Sequence, residues 1–524
     1  MDKRETEFAA DFVSANNGHV AAPPFNFPLA ISAIAVRTDS PVPIYEQICR
    51  AVRTAIGTGD LPPGTPLPTS RELARALGTG RNTICTAYAR LVAEGYLISN
   101  TRRGTHVAKP VGTSFLIQDN FSAGESPREK PSGSGAEIEI SYRAKQMLKS
   151  PLFPTSVSKP FGLNAPDYSL CPRNPLGRLL AAEFCLSPNG DVRQGHRRFQ
   201  VALSAYLRRM RGVYCEPEQV IPITGIESAL DLTARVMIDP GHVVQIEDPT
   251  SDVVRQAFLT AGARLVELPS DSKGADPSRA SGPPPRLMFV SPSAGFPLGR
   301  QMPELRRFAV LDAARRAGAI VFEADNCWEL SYTGSRLRAI QGYDRDGCVI
   351  YFGSLTETLG PHIRIGYLVV PAALADSFTD MAQRVSYGPD AFVLAALATF
   401  IEENQYAKHI KTIRAVYAHR LRTMAEACRS YIGSATVLEP VGGFHLTLMF
   451  PDGTDEEGLC RAAAEHGLLV TPLSRFYLRQ NQKPGVVLGF GAVADRLIEP
   501  TIRRLASVIE DFRFRGELAT ALHS

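Results

Sequence analysis

Residues 67–97 read LPTSRELARALGTGRNTICTAYARLVAEGYL, and this stretch decides the fold of the N-terminal part of the chain. Ser70 is placed to cap a helix over 71–77, in which Leu73, Ala74 and Leu77 form one apolar stripe. The Gly-Thr-Gly of 78–80 interrupts that periodicity with a short turn. A second helix follows over 81–94, with Ile84, Ala87, Tyr88 and Leu91 on one face. Upstream, apolar positions recur at helical spacing over 44–56, until Gly57, Pro62, Pro63 and Gly64 end the pattern. Downstream, GYLI (95–98) and THV (105–107) read as two strands around NTRRG (100–104). Helix, tight turn and helix, followed by a hairpin with a basic tip, is the geometry that sets one helix in a DNA major groove. The hairpin then lies against the backbone or minor groove.

Charge is distributed to match. Between 41 and 110, nine Lys and Arg oppose four Asp and Glu, whereas the whole chain carries only +4. A basic module on a near-neutral body suggests a head that binds double-stranded DNA, although a solvated basic face gives the same count. The 524 residues, 44% hydrophobic and 21% charged, suit a soluble protein of three or four structural units. No apolar run approaches the ~20 residues of a membrane helix, so no membrane partner is expected. The apolar stretch at 25–36 follows Pro-Pro rather than a basic leader and does not read as a secretion signal. Nine scattered cysteines without a C-x-x-C pair support neither a disulfide framework nor a metal site. The chain is read as cytoplasmic.

Four segments follow from composition. Residues 1–40 form an extension without a motif, and 41–110 the DNA-binding module. Residues 111–158, rich in Ser, Gly, Pro and charge, bury too little apolar surface to offset their ordering entropy and read as a flexible linker. From 159 to 524, strand-like runs at 219–223, 243–246, 287–290, 319–323 and 349–352 alternate with helical ones, which predicts an α/β domain on a mostly parallel sheet. The part from about 416, with strands at 444–450 and 485–491, has the size of a smaller α+β lobe.

The motifs PIYEQ (43–47), GDLPPG (59–64), LPTSRELA (67–74), RNT (81–83) and EGY (94–96) resemble a GntR-type winged helix-turn-helix. The resemblance implies that Arg71 and Arg81 contact phosphates or guanine edges, with Asn82 and Thr83 at the start of the recognition helix. It places Arg102, Arg103 and Gly104 at the wing tip. An arginine paired with a guanine edge supplies about 1–3 kcal/mol of discrimination. Where the family more often has valine and serine, this chain has Thr79 and Gly80, which weakens the cap of the recognition helix.

Further motifs extend the likeness: YLRRMRGV (206–213), DPG (239–241), EDP (247–249), SPS (291–293), FPLG (296–299), GSLTETLGP (353–361), RIGYL (364–368) and GGFH (442–445). Together they resemble the MocR/GabR regulators, in which a GntR-type reader is fused to a fold-type-I aminotransferase domain that binds pyridoxal 5′-phosphate. The resemblance implies a homodimer formed through that domain, presenting two heads to paired operator half-sites.

The same comparison shows departures. The lysine that forms the imine with the cofactor falls on Glu357, and a carboxylate cannot form an imine. Between 160 and 400 the only lysine is Lys273, in a polar loop. With 47 arginines to 10 lysines, compositional bias explains scarce surface lysines but not the loss of one that performs chemistry. The family's acidic strand end falls on EADN (323–326). Its cofactor-facing aspartate becomes Ala324 and its tyrosine Asn326, although a one-residue slip would let Asp325 serve. The stacking tyrosine falls on Ser251 and an arginine two positions later on Val253. Arg364, Ser354, Thr356 and the helix start at Thr224, Gly225 and Ile226 persist as phosphate-binding equipment. On a plainer reading Arg364 neutralises Glu357 and the hydroxyls cap turns. The expectation is a transcriptional regulator, not an enzyme, with no covalently bound cofactor. Its degenerate effector domain senses a small ligand, such as an amine cation attracted to Glu357, or serves as a dimer scaffold. The alternatives are non-covalent pyridoxal phosphate and an active aminotransferase.

Overall fold

The computed structural model describes residues 36–37, 40, 42–100, 104–108, 140–149, 159–163, 165–186, 192–332, 337–360, 362–385, 388–478 and 483–523. It falls into two compact units that divide between Ala136 and Glu137.

In the first unit, α1 (Ile44–Gly57), α2 (Ser70–Ala76) and α3 (Arg81–Ala93) precede a hairpin of β1 (Leu97–Asn100) and β2 (Gly104–Val107). Leu97 pairs with Val107 and Asn100 with Gly104. The predicted stripes converge on one core, with Ile48, Val52, Leu73, Ile84, Leu91, Leu97 and Val107 buried together. The cap of α2 differs from expectation. Thr69, not Ser70, is the N-cap: its hydroxyl accepts the Glu72 N–H at 3.3 Å, and Glu72 accepts the Thr69 N–H at 2.8 Å. This reciprocal box satisfies two helix-start donors, and Ser70 becomes the first helical residue. Gly78, at φ +62, then lets the Thr79 N–H reach the Ala74 carbonyl at 3.0 Å and close the helix.

In the second unit the strands are β3 (Val220–Ile223), β4 (Val243–Asp248), β5 (Arg264–Asp271), β6 (Gly274–Ala275), β7 (Leu287–Val290), β8 (Ile320–Ala324), β9 (Val349–Ser354) and β10 (Gly366–Val369). They form one eight-stranded sheet in the order β3-β10-β9-β8-β7-β4-β5-β6. The run from β9 to β5 is parallel, and β10 is antiparallel to both its neighbours. Every residue of β3, β7 and β9 is buried, as befits strands covered on both faces. The covering helices are α4 (Tyr142–Lys149), α5 (Arg173–Leu186), α6 (Val192–Arg211), α7 (Ile226–Met237), α8 (Asp252–Thr260), α9 (Glu304–Ala317), α10 (Thr356–Leu359), α11 (Ala375–Arg384) and α12 (Ala391–Glu402).

The stretch read as a linker is not featureless throughout, because α4 falls within it and lies against α8. The long α13 (Gln405–Tyr431) leads to a smaller antiparallel sheet in the order β11-β12-β14-β13, made of β11 (Thr436–Leu438), β12 (His445–Met449), β13 (Thr471–Pro472) and β14 (Gly485–Gly489). Helices α14 (Glu456–Glu465) and α15 (Asp495–His523) cover it. Position 416, where the sequence reading begins the small lobe, lies inside α13, whose buried residues run without a break from Tyr406 to Cys428. In a parallel sheet ligands gather beyond the carboxyl ends of the strands. Here those are the ends of β4, β7, β8 and β9.

Candidate functional site

In the first unit, α3 begins with Arg81 and Asn82 exposed and Thr83 half-buried, and Arg71 is exposed in the first turn of α2. Gly80 gives α3 no side-chain cap, which leaves backbone N–H groups at that end for an anion. The basic residues divide into two groups. Arg53 donates to Glu94 at 2.8 and 2.9 Å, and Arg90 pairs with Glu46 at 2.8 Å and with Glu94 at 3.0 Å. Arg50 lies 3.6 Å from Glu46. These arginines are engaged between α1 and α3, whereas Arg71 and Arg81 make no ion pair among the described residues. Gly104 opens β2 at φ +79, where the hairpin must turn sharply. Arg102 and Arg103 lie outside the described residues.

In the second unit a cavity of about 170 Å³ opens at the strand ends, and Ile226, Ser251, Asp325, Asn326 and Glu357 line it together. β9 ends at Ser354, and the single turn of α10 carries Thr356 and Glu357. The Ser354 hydroxyl accepts the Thr356 N–H at 3.2 Å. The Oε2 atom of Glu357 is sealed from solvent without a hydrogen-bond partner, as is the Thr356 hydroxyl. Burial raises the Glu357 carboxyl above the ordinary range, against the opposing hydrogen bond from Ser354 and the backbone, and the nearby Glu227 raises it further.

Arg364 does not neutralise Glu357. It is exposed and lies 3.4 Å from Glu227, also a lining residue. Gly225, at φ +95, brings the start of α7 beside this pair. A Cβ there would sit 3.2 Å from Glu227 Oε2 and 3.7 Å from Arg364 Nη2. The Thr224 hydroxyl bonds the Ser228 hydroxyl at 2.9 Å.

Asp325 is likewise engaged. Its Oδ2 accepts from Arg211 Nε at 2.6 Å and from the Tyr351 hydroxyl at 2.9 Å, while Arg211 also donates to Ser293 at 2.6 Å. Its Oδ1 has no partner. The small lobe contributes His445, buried at the start of β12 with Phe296 edge-on at 4.9 Å. Burial pushes its imidazole down to about 4, an interaction with the Pro297 carbonyl opposing, so the ring is neutral near pH 7; its Nε2 has no partner. Cys327 beside Asn326 is held as a thiol, mainly by burial and then by the field of Glu357. Glu227, Arg211 and His445 are absent from the sequence-derived site. Arg211 and His445 fall within the matching motifs of 206–213 and 442–445, and Glu227 follows directly on the helix start at 224–226. Lys273 is exposed at the turn between β5 and β6 and does not line the cavity. Among the described residues no group of His, Cys, Asp and Glu is arranged to hold a metal.

Two family models match the chain: bacterial regulatory proteins of the gntR family over residues 44–107, and aminotransferase class I and II over residues 192–486. The probable rhizopine catabolism regulatory protein MocR of Rhizobium meliloti is 34% identical over 487 residues, which cover 92% of this chain and 96% of that protein. The chain belongs to the MocR-type regulators of the GntR family.

A second member with which this MocR-type chain aligns is the pyridoxine biosynthesis transcriptional regulator PdxR of Corynebacterium glutamicum, 28% identical over 491 residues, which cover 92% of this chain and 99% of that one. Among solved structures, an archaeal alanine:glyoxylate aminotransferase superposes with a TM-score of 0.62 at 23% identity, covering 71% of the chain and 96% of that structure, which shows the fold alone. The MocR-type chain is therefore a DNA-binding regulator with an aminotransferase-like unit, and no described helix is long and apolar enough to cross a membrane.

Proposed function

We propose that this MocR-type regulator reads operator DNA through α3 and the wing, and that its aminotransferase-like unit is a non-catalytic effector and dimerisation domain. The observation that carries the reading is Glu357: a carboxylate with an unpartnered oxygen lines the pocket at the position where the resemblance places the imine-forming lysine. No lysine among the described residues lines that pocket.

The residues present do not fit pyridoxal phosphate. Where the resemblance places the phosphate, Glu227 already faces Arg364. The guanidinium expected to hold a phosphate is thus shared with a carboxylate. At the strand end Ala324 offers no acceptor; Asp325, whose Oδ2 is taken by Arg211, keeps an unpartnered Oδ1 and is the one group of the set that suits a pyridinium nitrogen. Ser251 supplies no stacking ring and Val253 no cation. Together these favour a regulator over an active transaminase and over a sensor of the free cofactor.

The mechanism of the reading is a shift between two arrangements of paired heads in a homodimer, which a ligand drives only by its differential affinity for them. Excess pyridoxal phosphate followed by borohydride reduction and peptide mapping tests the non-catalytic part. The expected result is no imine absorbance and no reduced adduct. A reduced adduct on one specific lysine would overturn it.

A further inference from the structure

Resting on that reading, we propose that the pocket at the ends of β4, β7, β8 and β9 is a receptor for a small organic cation carrying one ammonium group and no carboxylate. Three acidic side chains line the cavity, and two of them are already paired. Asp325 is balanced by Arg211 at 2.6 Å, and Glu227 faces Arg364 at 3.4 Å. Glu357 has no cationic partner among the described residues and stands as the uncompensated carboxylate of the cavity. Its position therefore calls for one positive charge.

Hydrogen-bonding capacity points the same way. Three lining residues carry side-chain atoms that are sealed from solvent and lack a partner: Glu357 Oε2, Asp325 Oδ1 and His445 Nε2. Asp325 and His445 are 1% and 8% exposed, so both are buried at the cavity wall. The two carboxylate oxygens accept, and the neutral imidazole of His445 carries one ring nitrogen able to accept as well. An ammonium group brings three donors and no acceptor, the complement of this set. Leaving buried acceptors unpaired is costly, and a ligand that brings donors relieves that cost.

The rest of the wall limits the ligand's body. Phe289, Phe296 and Phe444 give it apolar and aromatic surface, which suits a carbon skeleton and a cation beside ring faces. Among the described residues no arginine or lysine lines the cavity. The carboxylate of an amino acid would thus be buried next to Glu357 without a counter-charge, and the pocket discriminates amines from zwitterions of similar size.

Thermal unfolding of the full-length dimeric protein tests this with ethylammonium, butylammonium and cyclohexylammonium chlorides, against alanine, 4-aminobutanoate and sodium chloride at matched ionic strength. At least one ammonium ion should raise the melting midpoint in a saturable way, the zwitterions should bind at least tenfold more weakly, and Glu357→Gln should weaken the ammonium ion at least tenfold. The Gln variant is nearly isosteric, and retained operator binding shows that it is folded. Absence of any saturable ammonium response, equal binding of the zwitterions, or unchanged affinity in Glu357→Gln would each overturn the ligand class. Failure of the full-length protein to bind any operator DNA would instead overturn the regulator reading, so the two failures are distinguishable.

Discussion

Arg81 and Arg53 carry the same charge in the same unit, yet their surroundings assign them different work. Arg81 is exposed at the start of α3 with no ion pair among the described residues, whereas Arg53 donates twice to Glu94. Arg81→Ala should weaken operator binding by about 1–3 kcal/mol and relax preference at one base step. Arg53→Ala should leave operator affinity unchanged. Fluorescence anisotropy on matched and single-mismatch duplexes separates the two outcomes, and equal losses in both variants would remove the distinction. Glu247, buried at the end of β4, makes a different forecast. Its carboxyl accepts the Ser291 N–H at 2.7 Å, yet burial without a cation pushes it up to about 7. Between about pH 4.5 and 7 the folded state then holds a proton that the unfolded chain has lost. Glu247 therefore lowers stability as pH rises through that window and adds no further slope above it, by a total on the order of 3 kcal/mol. Glu247→Gln should remove this share of the slope in urea unfolding between pH 5 and 8, and an unchanged slope would assign the pH dependence elsewhere, with Glu323 the next group to examine.

At the scale of elements, short pieces with local signals hold the sites in place. The seven residues of α2 are too few to be stable by propensity, so the Thr69–Glu72 box and the core contacts of Leu73 and Ala74 hold it. Thr69→Ala should cost about 1 kcal/mol of stability in the N-terminal unit, with Ser70→Ala closer to neutral. The reverse ranking in chemical unfolding would restore Ser70 as the cap. In the second unit, Gly299 at φ +65 lets the loop after β7 approach the connection between β11 and β12 of the small lobe. A Cβ there would stand 2.4 Å from Pro440 Cα. Gly299→Ala should displace the lobe that carries His445 and so weaken any ligand of the pocket more than it weakens DNA binding.

At the scale of the whole molecule, an aminotransferase-like unit with two-fold symmetry would couple two heads to two half-sites. Sedimentation equilibrium should return twice the 56.9 kDa chain mass. Operator affinity should fall steeply with salt, since phosphate contacts release counterions. A monomer at micromolar concentration would leave the scaffold without a function.

Local patterning made the helices of the first unit, the strand–helix alternation of the second and the absence of a lysine near Glu357 legible from the chain alone. These features repeat over a few residues, and propensity, periodicity and turn chemistry act at that range. The order of strands, the engagement of Asp325 by Arg211 114 residues away, and the meeting of Arg364 with Glu227 137 residues away were not legible. Periodicity says which face of an element is buried and nothing about what it will face. The arrival of His445 from the small lobe is of the same kind. Sequence by itself determined which chemical groups the chain lacks; the tertiary structure decided which of the remaining charges cancel and which one, on Glu357, is left without a partner.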